Sequence, residues 1–422
     1  VRAALAGLTT RGRSLLAAGA ALGVCALLLG QRDLLRAAVF LLGLPLAALF
    51  VVSRRRYRLA CSRSLDPTRV EAGQPATVRL RLDNVSRLPS GVLLLEDALP
   101  YALVGRPRFV LDRVEPQGVR EVSYPVHADV RGRYRVGPLS VRLTDPFGLC
   151  ELARSFAGSD ELVVTPVVVP LPDVRLGGDW SGGGDASARS VGVSGTDDAA
   201  TRDYRDGDDV RKVHWRSTAR VGELRVRREE SPFQSRITLL LDSRARAHRG
   251  EGPASSFEWV VSAVASIGVA RHRGGSTLRL MADTGLDLVP TAVPTSSGAL
   301  LGALAGVENS RGESLKPAVE RLRRGGFGVL VAVLGALDPE DAEQLARLRH
   351  GATACVAVLV DTETWAPSSG RRTPEGQDRA AALLTGAGWR VLRCQHGTTL
   401  SSVWPQAGRR FLPTTPSTAQ PA

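Results

Sequence analysis

The stretch RDYRDGDDVRKVHW, Arg202 to Trp215, gathers carboxylates, guanidinium groups, a histidine and a tryptophan into fourteen positions. Asp208 or Asp209 with His214 would form a general acid/base pair, and Asp209 with Glu223 a pair of metal carboxylates, the beginnings of a metal-dependent hydrolase. No obvious nucleophile or third ligand accompanies them. From Thr201 to Glu230 nine basic residues stand against seven acidic ones. Such a balance favours internal ion pairing over an external polyanion. The segment therefore reads first as an ion-paired brace, next as a docking surface, and only then as a catalytic centre.

Its local structure follows from residue type. Asp206-Gly207 makes a turn, and Asp208 or Asp209 is placed to N-cap a short helix. Val210, Val213 and Ser217 share one side of that helix, and Gly222 can end it. In ELRVRREE, Leu224 and Val226 alternate inward while Arg225 and Arg227 point outward. Turn, helix and strand follow in that order.

The rest of the chain supplies few competing centres. Cys25, Cys61, Cys150, Cys355 and Cys394 are odd in number and contain no C-x-x-C, which fits a reduced, cytosolic setting. The six histidines are scattered without metal-ligand spacing. Neither a metal nor a cofactor is expected. GGDWSGGG, from Gly177, has the glycines of a phosphate loop but no G-K-[ST] and no strand-to-helix junction. The net charge is +13, of which residues 1–58 carry +8, from nine Arg and one Asp. The remaining +5 is spread too thinly for a nucleic-acid binder.

The elements that must position these residues fall into three regions. Ser14 to Gly30 and Leu34 to Val52 are apolar runs of 17 and 19 residues, interrupted only by Arg36. At about 1.5 Å per residue each approaches the roughly 30 Å thickness of a bilayer core. Gln31 to Asp33 join them into a transmembrane hairpin. No A-x-A site separates the runs, as a cleaved signal peptide would require. Arg2, Arg11 and Arg13 precede the hairpin and Arg54, Arg55, Arg56 and Arg58 follow it, so both outer ends are expected in the cytoplasm, with the protein in the cell membrane.

Residues 59–171 hold short alternating runs (TVRLRLDN, GVLLLED, REVSYPVHA, GRYRVGPLSVRLTD, ELVVTPVVV) punctuated by turn residues, the pattern of an antiparallel β-sandwich. Residues 172–200 read as a Gly/Ser-rich linker or loop. After the charged segment at 201–235, residues 236–410 alternate buried strands (RITLLLD, STLRLMA, GGFGVLVAVLG, TACVAVLV, WRVLRC) with helices (SSFEWVVSAVASIGVARHR, PEDAEQLARLRH). That order predicts an α/β domain: a parallel sheet with helices on both faces. Ligands of such sheets bind beyond the C-terminal strand ends, which directs attention to the residues after LLL in LLLDSRARA. Residues 411–422 read as a disordered tail.

The pattern R-D-Y-x-x-G-D-x-x-R-x-x-x-W-x-x-x-A-R-x-x-x-L-x-V-R-x-x-E resembles the signature of the bacterial domain of unknown function 58 proteins. It is carried here by Arg202, Asp203, Tyr204, Gly207, Asp208, Arg211, Trp215, Ala219, Arg220, Leu224, Val226 and Arg227, with Arg205 inside it and Glu229 and Glu230 at its end. RGRYRVGPLSVRLTDPFGL, Arg131 to Leu149, resembles a second stretch of the same family. Asp203 stands where the family commonly has Glu, and His214 where it commonly has Asp. The resemblance implies a von Willebrand factor A-like C-terminal domain and association with a MoxR-type AAA+ ATPase. It thus implies a membrane-anchored, cytosol-facing adaptor working by protein–protein contact in complex assembly or chaperone-like remodelling; with no catalytic constellation in the sequence, an enzyme is not expected. Many such A domains hold Mg²⁺ through D-x-S-x-S after their first strand. Here Asp242-Ser243-Arg244-Ala245-Arg246 puts arginines at the two later hydroxyl positions, which opposes a divalent ion.

Overall fold

The structure is a computed structural model of the 422-residue chain. It describes residues 7–54, 59–87, 89–103, 105, 107–144, 147–176, 201–203, 215–223, 225–227, 236–289, 296–349, 353–365 and 374–408.

The apolar runs form α1 (Thr10–Leu29) and α2 (Arg32–Arg54). The turn between them is tighter than the three residues expected, because Gly30 adopts φ 66° as a left-handed cap and α2 already starts at Arg32. Gly19 lets the helices approach: a Cβ there would lie 2.9 Å from Leu42. Both helices are long and apolar enough to cross a membrane. Their apolar side chains point outward, Leu28 being 80% and Phe40 68% exposed.

Strands β1 (Leu59–Asp66), β2 (Arg69–Glu71), β3 (Ala76–Asn84), β4 (Leu93–Asp97), β5 (Arg108–Leu111), β6 (Val119–Val126), β7 (Gly132–Val136), β8 (Leu139–Thr144), β9 (Glu151–Phe156) and β10 (Asp160–Thr165) follow. They make sheets of order β1-β3-β6, β5-β4-β8-β9 and β2-β10-β7. In β3 every second residue from Ala76 to Leu82 is buried, so Val78, Leu80 and Leu82 meet Leu93, Leu95, Leu139 and Leu162 in one core. One pairing departs from the expected antiparallel pattern: β2 runs parallel to β10. Only two residues separate β2 from β1, so it leaves the β1 sheet and pairs elsewhere.

β11 (Thr201–Asp203), α3 (Trp215–Val221) and β12 (Arg225–Arg227) are the described parts of the charged segment, β11 and β12 pairing antiparallel. Gly222, at φ 83°, ends α3 and donates to Thr218 O.

The C-terminal region contains β13 (Arg236–Leu241), α4 (Ser256–Arg273), β14 (Thr277–Ala282), β15 (Asp287–Val289), α5 (Ser297–Ala305), α6 (Lys316–Gly325), β16 (Val329–Leu334), α7 (Pro339–Ala346), β17 (Cys355–Val360), α8 (Pro374–Gly386), β18 (Arg390–Cys394) and α9 (Leu400–Val403). One sheet of order β15-β14-β13-β16-β17-β18 joins the strands. Five are parallel, but β15 corrects the all-parallel expectation by pairing antiparallel with β14 across a short turn at Gly285. A connection that short cannot make a parallel crossover.

Alternation along β13 feeds two cores. Ile237, Leu239 and Leu241 pack with α4, α5 and α9, while Leu240 packs with α6, α7 and α8. Within the stretch read as a linker, Val174 and Leu176 are buried in the first of these cores. Residues 177–200 and the tail from 409 lie outside the described residues.

Candidate functional site

At the C-terminal edge of the central strand β13 the chain enters the sequence Asp242, Ser243, Arg244, and the structure buries all three. Arg244, long and cationic, is the unexpected member: its side chain is fully shielded from solvent. Its guanidinium group grips Asp242 with two parallel bonds, Nε to Oδ1 at 2.9 Å and Nη2 to Oδ2 at 2.9 Å. Nη1 reaches Asp341 Oδ2 at 2.5 Å, and Nη2 also faces the Ala336 carbonyl at 3.4 Å.

Backbone groups hold the carboxylates in place. Gly335 N donates to Asp242 Oδ2 at 3.2 Å and Leu315 N to Asp341 Oδ1 at 3.0 Å. Burial works against the Arg244 charge, but the hydrogen bonds and charges of Asp242 and Asp341 outweigh it, so the guanidinium pKa is raised. Planar, two-toothed pairing of this kind is among the strongest polar contacts a protein makes.

A third carboxylate, Asp283 at the end of β14, is organised separately. It accepts from the Ser243 amide at 3.1 Å, from the Ser243 hydroxyl, and from Ser310 Oγ at 2.7 Å. His248 closes the inner side. Its Nε2 lies 2.9 Å from the Asp242 carbonyl, which can only accept, so Nε2 carries the proton and Nδ1 accepts from Ser256 Oγ at 3.3 Å. Burial, the largest influence, lowers the His248 pKa and favours this neutral form. On the outer side Arg246 bonds Asp338 at 2.8 Å and stands 3.8 Å from Asp341. Among the described residues no three His, Cys, Asp or Glu side chains come together as a metal-ligand group.

Thiol chemistry is weak in this sheet. Burial pushes Cys355 and Cys394 up to about 12, so neither is a thiolate at neutral pH.

The signature residues are only partly described. Arg202 and Asp203 lie in β11, Trp215, Ala219 and Arg220 in α3, and Val226 and Arg227 in β12. Trp215 is 65% exposed. Tyr204, Arg205, Gly207, Asp208, Asp209, Arg211, His214, Leu224 and Glu229 lie outside the described residues.

A brace between the N-terminal sheets and the C-terminal region does appear, at a residue to which sequence reasoning gave no chemistry. Arg131, just before β7, sends Nε to Leu304 O at 2.9 Å and Nη2 to Val307 O at 2.5 Å, and pairs with Glu258. Its guanidinium carbon sits 4.8 Å from the Phe257 ring centre. Its one signal in sequence was membership of the RGRYRVGP stretch. Beside the brace a cavity of about 390 Å³ runs between Asp129, Val167, Trp259, Trp365 and His396.

Structurally the chain is thus an apolar helical hairpin, a set of largely antiparallel sheets, and an α/β layer whose central strand ends in a buried ion-pair cluster. Residues 200–393 match the family described as "Protein of unknown function DUF58". A curated relative, "Uncharacterized protein YeaD" of Bacillus subtilis (strain 168), is 27% identical over 215 residues, 49% of this chain. The chain spans about half the length of that relative, 51%. Among solved structures, the CARDB domain of a Pyrococcus furiosus protein in complex with di-metal ions covers 26% of this chain and 93% of its own, at 12% identity and TM-score 0.19. The alkylpurine DNA glycosylase AlkC of Pseudomonas fluorescens, bound to DNA, covers 32% of this chain and 39% of its own, at 11% identity and TM-score 0.18. Likenesses so slight assign neither a fold nor a function.

Proposed function

We propose that the protein is a membrane-anchored adaptor of the cell membrane, its soluble part facing the cytoplasm and binding a MoxR-type AAA+ ATPase during complex assembly or remodelling. The observation that carries the reading is the exposed Trp215 of α3, inside the family signature and followed by the exposed Ala219 and Arg220. A large aromatic left in solvent beside an arginine is the composition of a protein contact.

Anchoring is supported by the two membrane-length helices and by the arginines at their outer ends. Helices on both faces of a largely parallel sheet, with one antiparallel edge strand, support a von Willebrand A-like reading of the C-terminal region. The family resemblance points to the ATPase.

Capture of a purified MoxR-type ATPase by the full chain in detergent tests the proposal. Trp215→Ala, Arg205→Glu and Asp208→Lys should each weaken capture about tenfold or more while leaving the melting temperature within a degree or two, given interface truncations of roughly 1–2 kcal/mol. Unchanged capture by all three removes the docking role. Variants that unfold show the segment to be structural.

A further inference from the structure

We propose that the Arg244 guanidinium is the resident cation of a closed cation site at the C-terminal edge of the central sheet. The site is complete without any metal ion, and its oxygens would hold a divalent cation if the guanidinium were withdrawn.

Three observations converge on it. The first is composition: Asp242 and Asp341 are both buried, and Arg244 is the buried cation between them. Burying carboxylates without a counter-charge is costly, so a cation of some kind is required at this edge. The second is geometry. The guanidinium group draws four oxygens around itself: both carboxylate oxygens of Asp242, Asp341 Oδ2 and the Ala336 carbonyl. Two carboxylates and a carbonyl, completed by water, are the hard donors that Mg²⁺ and Mn²⁺ take, and they converge from β13, α7 and the loop after β16.

The third observation is closure. Arg244 is tethered two residues from Asp242, its own amide donating to Asp242 Oδ1 at 3.2 Å, so the cation is part of the loop it stabilises. Its side chain has no solvent exposure, and Arg246 covers Asp341 from outside. A divalent ion would have to displace a charge that is covalently held at very high effective concentration. A partner approaching this edge therefore meets no exchangeable metal position, and its docking should be insensitive to chelators.

The test uses the full chain in detergent and Mn²⁺ as probe, followed by electron paramagnetic resonance and by melting temperature. R244A should gain one equivalent of bound Mn²⁺ over wild type, and saturating Mn²⁺ should raise its melting temperature by several degrees while leaving wild type unmoved. D242N placed on R244A should abolish the gain. R244K keeps a charge at the position and should gain no site. Should R244A and R244S both fail to fold alone, recovery of a cooperative melt on refolding with Mn²⁺ supports the proposal, and no recovery overturns it. It is also overturned if folded R244A gains no equivalent, if wild type already binds one that D242N removes, or if R244K gains the site.

Discussion

His248 illustrates how much a single side chain's surroundings decide. It is 8% exposed, wedged between the Asp242 carbonyl and Ser256, and near the Phe257 ring. Because its pKa in the folded chain is lowered, the unfolded chain binds the proton more readily, and stability falls as pH falls. The contribution is present above the ordinary histidine value near 6.5 and is lost as pH drops from there toward the lowered folded value. Between about pH 7.5 and about pH 5.5 the wild-type melting temperature should decline more steeply than that of H248Q. Equal slopes would mean that other groups carry the acid sensitivity.

At the scale of elements, the foot of the apolar helical hairpin is the joint that matters. Thr9 caps α1 by accepting from Gly12 N at 3.2 Å, and its hydroxyl also donates to Gly148 O at 2.7 Å. Thr9 N bonds Leu149 O at 3.0 Å, and Glu151 N bonds Gly7 O at 2.7 Å. Leu8, Leu149, Cys150 and Ala48 bury themselves together there. The turn that carries part of the DPFGL motif is thus a seat for the helices.

Gly12 makes the seat possible, since a Cβ on it would lie 2.4 Å from the Leu149 carbonyl oxygen, a backbone atom with little room to move. G12V should lift the foot, and hydrogen exchange should report it as faster exchange at Thr9 and Glu151 with the β3 amides unchanged. T9A should produce a milder version, about 0.5–2 kcal/mol, the usual cost of losing a helix cap.

At the scale of the whole molecule, a buried arginine sits at the centre of the seam between two folded regions. Arg131 is 6% exposed and satisfies two carbonyls at the end of α5 and just beyond it while pairing with Glu258 at the start of α4. Further bonds follow the same seam: Ser262 Oγ to Val167 O at 2.6 Å, and Val169 N to Ser266 Oγ at 2.9 Å. Removing one partner of a buried pair costs about 3–5 kcal/mol. R131A should therefore lower stability by roughly that amount and split the thermal unfolding into two transitions, as calorimetry would detect. A single, merely shifted transition would show that the seam is held without it. R131K should fare little better, because an ammonium cannot serve both carbonyls and Glu258 with a fork.

Much of this was legible along the chain. Hydrophobic periodicity located the hairpin, strands such as β3 and β13, and helices such as α4, because burial on one face or two leaves a pattern with its own period. The family signature was equally local, a matter of residue types at fixed spacings. The antiparallel β15, the parallel β2–β10 pair and α5, α6 and α8 were missed, being short or weakly patterned elements whose pairing depends on what lies beside them.

The charge cluster in Arg202–Trp215 drew attention by density, yet density does not say which charges are desolvated. Only the tertiary structure decided that Arg131 joins two regions. It alone turned the arginine of Asp242-Ser243-Arg244 inward onto Asp242 and Asp341, 97 residues away along the chain. The physical reason is that burial and pairing arise from residues remote in sequence: residue type sets which charge a side chain carries, and the packed sheet sets which opposite charge it meets.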